Sequence, residues 1–218
     1  MNNRFLVVGD IHGCPRQLEE ILALAETYPD HRWVFLGDYI DRGPDSESVI
    51  QILSRFEGIF LLGNHEDMLL DRCQQPTHPG TFLHRDDRSG LSDASIEWIR
   101  TVPVDHWETD DYFFVHGGLD PFRALNRQTR EIYLWSRYAG DYHMLTPKLV
   151  IHGHTLVDEP EVVGNRININ TGCGCGGVLT ALVLPEFRFV FSSPSPQFVS
   201  KREDARPASP FDENLEEL

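Results

Sequence analysis

From Arg4 to Cys73 the chain repeats one pattern, a short apolar run followed by a segment of helical period. Arg4–Val8 reads as a buried strand ending at Gly9. Pro15–Thr27 then places Leu18, Ile21, Leu22 and Ala25 on one helical face, with Pro15 suited to the first turn. Trp33–Leu36 is a second strand, again stopped by a glycine, Gly37. A helix over Ser46–Phe56 carries Val49, Ile50, Leu53 and Phe56 on one side. Ile59–Leu62 makes a third strand and His65–Cys73 a third helix. Strand–helix alternation of this kind predicts an α/β fold with parallel strands joined by crossover helices.

The second half is less regular. Gln74–Asp93 is polar and broken by Pro76, Pro79, Gly80 and Gly90, so it is expected to run over the surface. Ser92–Thr101 reads as a capped helix. Strands are expected at Asp111–His116, Lys148–His152, Arg166–Ile169, Val178–Leu184 and Phe187–Phe191, the last two forming a hairpin around Pro185-Glu186. From Ser192 the chain turns to Ser, Pro and acidic residues. The expected organisation is one domain over 1–192 and a tail over 193–218.

Charge narrows the function. The formal net charge is −15, and the segment Lys201–Leu218, with six acids and three bases, accounts for little of it. An acidic body repels polyanions, which argues against a nucleic-acid partner. An anionic substrate would need a local concentration of positive charge instead. No run of 18 apolar residues occurs, so no membrane partner is expected, and the apolar stretch in MNNRFLVVGD is short for a secretory signal. A cytoplasmic setting is the expectation. Cys14, Cys73, Cys173 and Cys175 form no CxxC pair and read as reduced thiols, structural or near the site.

The chemistry gathers where strands stop. The first strand runs into Gly9-Asp10-Ile11-His12-Gly13 and the second into Gly37-Asp38-Tyr39-Ile40-Asp41-Arg42-Gly43. The third runs into Gly63-Asn64-His65-Glu66, and two later ones into His116-Gly117-Gly118 and His152-Gly153-His154. Carboxyl ends of parallel strands share one edge, where ligands bind. Each junction alone is an ordinary turn; five with the same grammar predict a common site. His31, His78, His84, His106 and His143 lack that setting.

Asp, His and Asn side chains without cysteine make a mixed oxygen and nitrogen donor set, suited to manganese, iron or zinc. Six such residues exceed what one catalytic ion with an open position requires. Two divalent cations sharing a carboxylate fit better, because they activate water and supply the missing positive charge. Arg42 adds a planar fork for phosphate oxygens. The residues therefore read as a two-metal phosphoester hydrolase.

GDIHG, GDYIDRG, GNHE, HGG and the late GH, spanning residues 9–154, stand in an order that resembles the phosphoprotein phosphatase family of calcineurin-like metallophosphoesterases. The short chain is most similar to the bacterial and bacteriophage lambda type. That resemblance implies a central β-sandwich of mixed sheets flanked by α-helices, with a dinuclear metal site at the strand ends. It implies that Asp10 and His12 bind the first metal, that Asp38 bridges, and that Asn64, His116 and His154 complete the second. It implies His65 as general acid oriented by Asp41, and Arg42 and Arg137 as phosphate ligands. Manganese is the expected metal, with iron or zinc as alternatives. Glu66 reads as a helix-start residue, with a hydrogen-bonding role behind the site as the other possibility, and His152 as packing beneath His154.

One departure stands out. The SAPNYC stretch of the eukaryotic members is absent; NINTGCGCGG, residues 168–177, takes its place, with Asn170 where Asp is usual in the small prokaryotic members. The leading functional expectation is a serine/threonine protein phosphatase. The alternative is a symmetrical dinucleoside tetraphosphatase, and a third reading is a non-catalytic phosphate-binding protein. The expected partner is a phosphorylated protein or a small phosphoester, with Asp67–Asp110 shaping the opening.

Overall fold

The computed structural model describes residues 3–74 and 90–195. The elements run β1 (Phe5–Val8), α1 (Pro15–Leu22), β2 (Arg32–Phe35), α2 (Ser46–Leu53), β3 (Ile59–Phe60), α3 (Asn64–Gln74), α4 (Asp93–Thr101), β4 (His106–Glu108) and β5 (Tyr112–Val115). They continue with α5 (Arg130–Trp135), β6 (Leu149–His152), β7 (Glu161–Val163), β8 (Arg166–Asn168), β9 (Thr180–Leu184) and β10 (Arg188–Phe191). The strands form two five-stranded sheets, in the orders β10-β9-β1-β2-β3 and β4-β5-β6-β8-β7.

Each sheet joins a parallel triplet to antiparallel strands. β1, β2 and β3 are parallel, as are β5, β6 and β8. β9 and β10 close one sheet antiparallel, and β4 and β7 flank the other. The expected parallel sheet is thus present as two parallel triplets, and the architecture is the mixed two-sheet sandwich with helices outside.

Alternation along β1 shows how the layers hold together. Successive side chains of a strand face opposite sides. Phe5 and Val7 enter the core between the sheets with Val34, Leu36, Leu61, Phe114, Ile151 and Ile167. Leu6 and Val8 face the helical layer with Leu18, Ile21, Val49, Ile50 and Leu53. All four residues are fully buried, which is why the run reads as continuous hydrophobicity rather than alternation. Phe5 is the hub of the inter-sheet core, edge-on to Trp107, Tyr112 and Phe114 at centroid distances of 5.4–5.7 Å.

Helix starts follow their signals. Asp45 caps α2 through Ser48 N at 2.9 Å, Ser92 caps α4 through Ser95 N, and Pro15 opens α1. α1 gives way to a 3₁₀ turn at Ala23–Glu26, so the helix is shorter than its apolar period suggests. β3 is also shorter than expected, because Leu61 and Leu62 turn to pair with Val104: Leu62 N donates to Val104 O at 2.9 Å. β4, β7 and α5 are additions that the apolar pattern does not predict.

Most of the Gln74–Asp93 excursion, His78 and His84, and the tail beyond Ser195 lie outside the described residues. Ser193–Ser195 pack on the domain. Ser193 donates to Glu20 at 2.7 and 2.8 Å, and Ser195 Oγ accepts from Gly174 N and Gly176 N. Among the described residues, no helix is long and apolar enough to cross a membrane.

Candidate metal centre

Every strand-end residue named above comes to one place. Asp10 and His12 follow β1, Asp38 and Asp41 follow β2, Asn64 and His65 open α3, His116 follows β5, and His154 follows β6. The two parallel triplets thus present their carboxyl ends along a single edge of the sandwich.

Asp38 is the centre. Its Oδ2 lies 3.5 Å from His12 Nε2 and 4.0 Å from His65 Nε2, and its Oδ1 lies 3.4 Å from His116 Nε2. Among the described residues, two groups could hold an ion, His12–Asp38–His65 and Asp38–His116–His154, each with donor atoms within 4.8 Å of one another. Asp38 belongs to both. Asn64 Oδ1 adds a donor 3.0 Å from His116 Nε2 and 2.9 Å from His154 Nδ1. Asp10 stands beside these groups, its carboxylate accepting from His154 N at 3.0 and 3.2 Å and from Asn170 Nδ2 at 2.8 Å.

The donor chemistry suits cations. His12 Nδ1 and His116 Nδ1 lie 3.0 and 2.8 Å from the carbonyls of Ile40 and Leu36. A carbonyl only accepts, so the proton sits on Nδ1. Burial holds both imidazoles neutral, His12 at about 4 and His116 below its ordinary value, even with Asp38 beside them. Each Nε2 therefore turns a lone pair toward a carboxylate oxygen with no proton between. A cation resolves that juxtaposition of acceptors, and a backbone-fixed tautomer is the usual support of a metal-binding histidine.

The remaining titrations follow from the same crowding. Burial pushes the Asp38 carboxyl up, but His116, His65, His12 and His154 together hold it well below the usual range. Burial, then Asp38, raises Asp10. Burial, then His116, lowers His154. His65 goes the other way: burial pulls it down, but Asp38 and the hydrogen-bonded Asp41 hold it up at about 9. Its Nδ1 lies 2.7 Å from Asp41 Oδ2, and its Nε2 lies 3.4 Å from the Arg42 guanidinium. Arg137 Nε reaches His154 Nε2 at 3.4 Å, so both arginines border the cluster.

Glu66 is fully buried behind the site, and its role differs from the helix-start reading. Its Oε2 accepts from Asp38 N at 2.9 Å and Gly63 N at 3.0 Å; its Oε1 accepts from Tyr39 N at 2.8 Å and Ile40 N at 3.2 Å. The carboxylate clamps the loop that presents Asp38. Burial, then Asp38, raises it to about 8, while the N–H groups of Tyr39 and Ile40 favour its anion. Gly63 permits the close approach, since a Cβ there would overlap Asp38 N and Oδ1. His152 is buried, with Nε2 3.1 Å from Arg166, and Arg166 also binds the carbonyls of Ala139 and Gly140.

The backbone is unusual here. Among the described residues, six non-glycine residues have positive φ, and five of them are His12, Asp38, Asp41, Arg42 and His154. Such conformations persist only where surrounding structure enforces them, and they cluster at functional sites. Among the described residues, Asn170, noted in the sequence only as a departure from the family pattern, bonds to Asp10, and Trp135, which no motif marks, meets His154 edge-on at 5.8 Å. Trp135 also lines a groove of about 550 Å³ with Asp67, Leu70, Asp71 and Arg100. All four cysteines are free, and Cys175 Sγ touches Arg42 at 3.4 Å.

A family model described as calcineurin-like phosphoesterase matches residues 3–158. The asymmetrical bis(5'-nucleosyl)-tetraphosphatase PrpE of Oceanobacillus iheyensis is 27% identical, over 90% of this chain and 94% of its own. The protein of the same name from Geobacillus thermodenitrificans is 30% identical, over 84% and 91%. A solved structure provisionally assigned as a diadenosine tetraphosphatase shares the fold with a TM-score of 0.71 at 22% identity, over 91% and 96%. With the family match spanning most of the sequence and the strand-end cluster at its centre, the chain belongs to the calcineurin-like phosphoesterase family.

Proposed function

We propose that this phosphoester hydrolase acts on dinucleoside tetraphosphates and cleaves them asymmetrically, into unequal nucleotides. The Asp38 carboxylate carries the hydrolytic part of the reading, because two cation-capable groups share it. The substrate class rests on the relatives, 27–30% identical over most of the chain and named for asymmetrical cleavage. The symmetrical alternative expected from the sequence is replaced on the same ground.

In this reading Asp10 and His12 would hold one divalent cation, Asn64, His116 and His154 would hold the other, and Asp38 would serve both. Manganese is the proposed metal. When bound, the cations supply a nucleophile at neutral pH and offset phosphate charge. The protein's own side chains do the rest. Arg42 and Arg137 grip phosphoryl oxygens from two sides of the cluster. His65, which Asp38 and the hydrogen-bonded Asp41 hold protonated in the metal-free site, is the group that gives its Nε2 proton to the departing oxygen. Asp41 keeps that ring turned by holding Nδ1–H.

A second reading, a serine/threonine protein phosphatase, is favoured by the motif order GDIHG, GDYIDRG, GNHE. The two differ in the bond broken. A tetraphosphate releases a nucleotide, a good leaving group, whereas phosphoserine releases an alkoxide that depends heavily on an acid. The deciding experiment presents diadenosine tetraphosphate, a phosphoserine peptide and an aryl phosphate to manganese-loaded, metal-analysed protein. Turnover of the tetraphosphate to unequal nucleotides, well above the peptide rate, supports the proposal. The reverse preference, or equal products, overturns it.

A further inference from the structure

Asn170 follows β8, at the position where the sequence carries an amide in place of the expected carboxylate. It is buried, and its side chain is fully engaged. Nδ2 donates to Asp10 Oδ2 at 2.8 Å and to the His154 carbonyl at 3.0 Å, while Oδ1 accepts from Gly172 N at 3.2 Å. Its backbone is fixed as well, with its N–H on Asn168 Oδ1 at 3.0 Å and its carbonyl on Val157 N at 3.0 Å. One amide thus joins the end of β1 in the first sheet to the turn after β6 in the second. Those two ends carry Asp10 and His154, which belong to opposite halves of the proposed cation pair.

We propose that Asn170 is a positioning residue that couples the two cation positions, so that filling one prepares the other. The inference rests on the two-cation reading above. An amide is chemically suited to this coupling, because it offers two N–H donors, one to the carboxylate and one to the carbonyl. A carboxylate at 170 offers none and would set a second negative charge against Asp10. With Asn170 in place, a shift of Asp10 toward a cation carries the 152–154 turn with it. Without it, the direct bonds from His154 N to the Asp10 carboxylate, at 3.0 and 3.2 Å, still tie the two ends, but the His154 carbonyl side of the turn is released.

The test is calorimetric titration of metal-stripped full-length protein with Mn²⁺, together with Mn²⁺ electron paramagnetic resonance at substoichiometric loading. The parent should bind two ions, the second no more weakly than the first, and show the spin-coupled pair before saturation. Asn170→Ala should lose ~10–100-fold in affinity and fill its positions one at a time, giving the isolated-ion signal first. Asn170→Ser, with one donor, should fall between and carries the test if the alanine variant does not fold. Asn165→Ala is the control. Asn165 is a buried amide bonded to Thr146 O, Lys148 O and Tyr142 N, so its loss should lower the unfolding temperature and leave the isotherm unchanged. An isotherm and spectrum for Asn170→Ala equal to the parent's overturn the coupling role alone. A parent that binds no Mn²⁺ overturns the two-cation reading and this inference with it.

Discussion

Glu66→Gln isolates the hydrogen bonds that hold Asp38 in place, because the side chain keeps its shape and changes only its acceptors. The carboxylate receives four buried N–H groups, two on each oxygen. A glutamine has one oxygen, so in either orientation two of the four donors confront an NH₂ group. A buried donor without a partner costs about 1–3 kcal/mol. Two of them amount to about 2–6 kcal/mol, a large share of the ~5–15 kcal/mol that holds a domain together. Had Glu66 served only to place negative charge at the start of α3, the loss would be about 0.3–1 kcal/mol. Urea unfolding of metal-stripped protein above about pH 8, where Glu66 is ionised, measures the difference, and manganese retained after dialysis, read by atomic emission, reports whether Asp38 is still presented. A destabilisation under ~1 kcal/mol with undiminished manganese would refute the clamp.

Three further outcomes are expected. His65→Asn should retain both metals and lose ~10²–10⁴-fold in turnover of alkyl phosphates, and far less for aryl phosphates or phosphoanhydrides; a parental rate on phosphoserine would exclude the acid role. In metal-stripped protein, Asp41→Asn should move the His65 titration below its value of about 9, read by NMR of the imidazole. The sign fixes the stability window: a raised histidine stabilises fully below its unfolded value of about 6.5 and loses that contribution as pH climbs through 9. The parent's advantage over Asp41→Asn should therefore be present at about pH 6 and gone above about 9. Phe5→Ala should cost about 3–5 kcal/mol in urea unfolding, because the ring is fully buried among three aromatic partners; a loss near zero would mean that the sheets do not depend on it.

The strands and the site are legible in the sequence because they share one signal. A buried apolar run that stops at glycine, or at histidine followed by glycine, with polar side chains at the junction marks both where β1, β2, β5 and β6 stop and which side chains meet there. β4 and β7 have three residues each and α5 six, too few to display a period, and they exist because neighbours pair with them. The two-sheet arrangement comes from resemblance, since helix and strand alternation cannot say that β9 inserts antiparallel beside β1. Glu66 is misread from sequence for a related reason. Its partners at Asp38, Tyr39 and Ile40 are 26–28 residues away, and only the folded loop brings their N–H groups to it. Asn170 is visible as a departure from the family pattern, but its tie to Asp10 spans 160 residues and leaves no trace in spacing.

The five left-handed residues around the cluster carry an evolutionary liability. Each is worth on the order of 1 kcal/mol to any glycine that replaces it, provided that its side chain is dispensable. A population screened for heat resistance alone would find those substitutions early, at Arg42 for instance, and its survivors would be sturdier molecules with blunted turnover. Hardening this scaffold for practical use should therefore begin in the outer helices and leave the rim of the sandwich untouched.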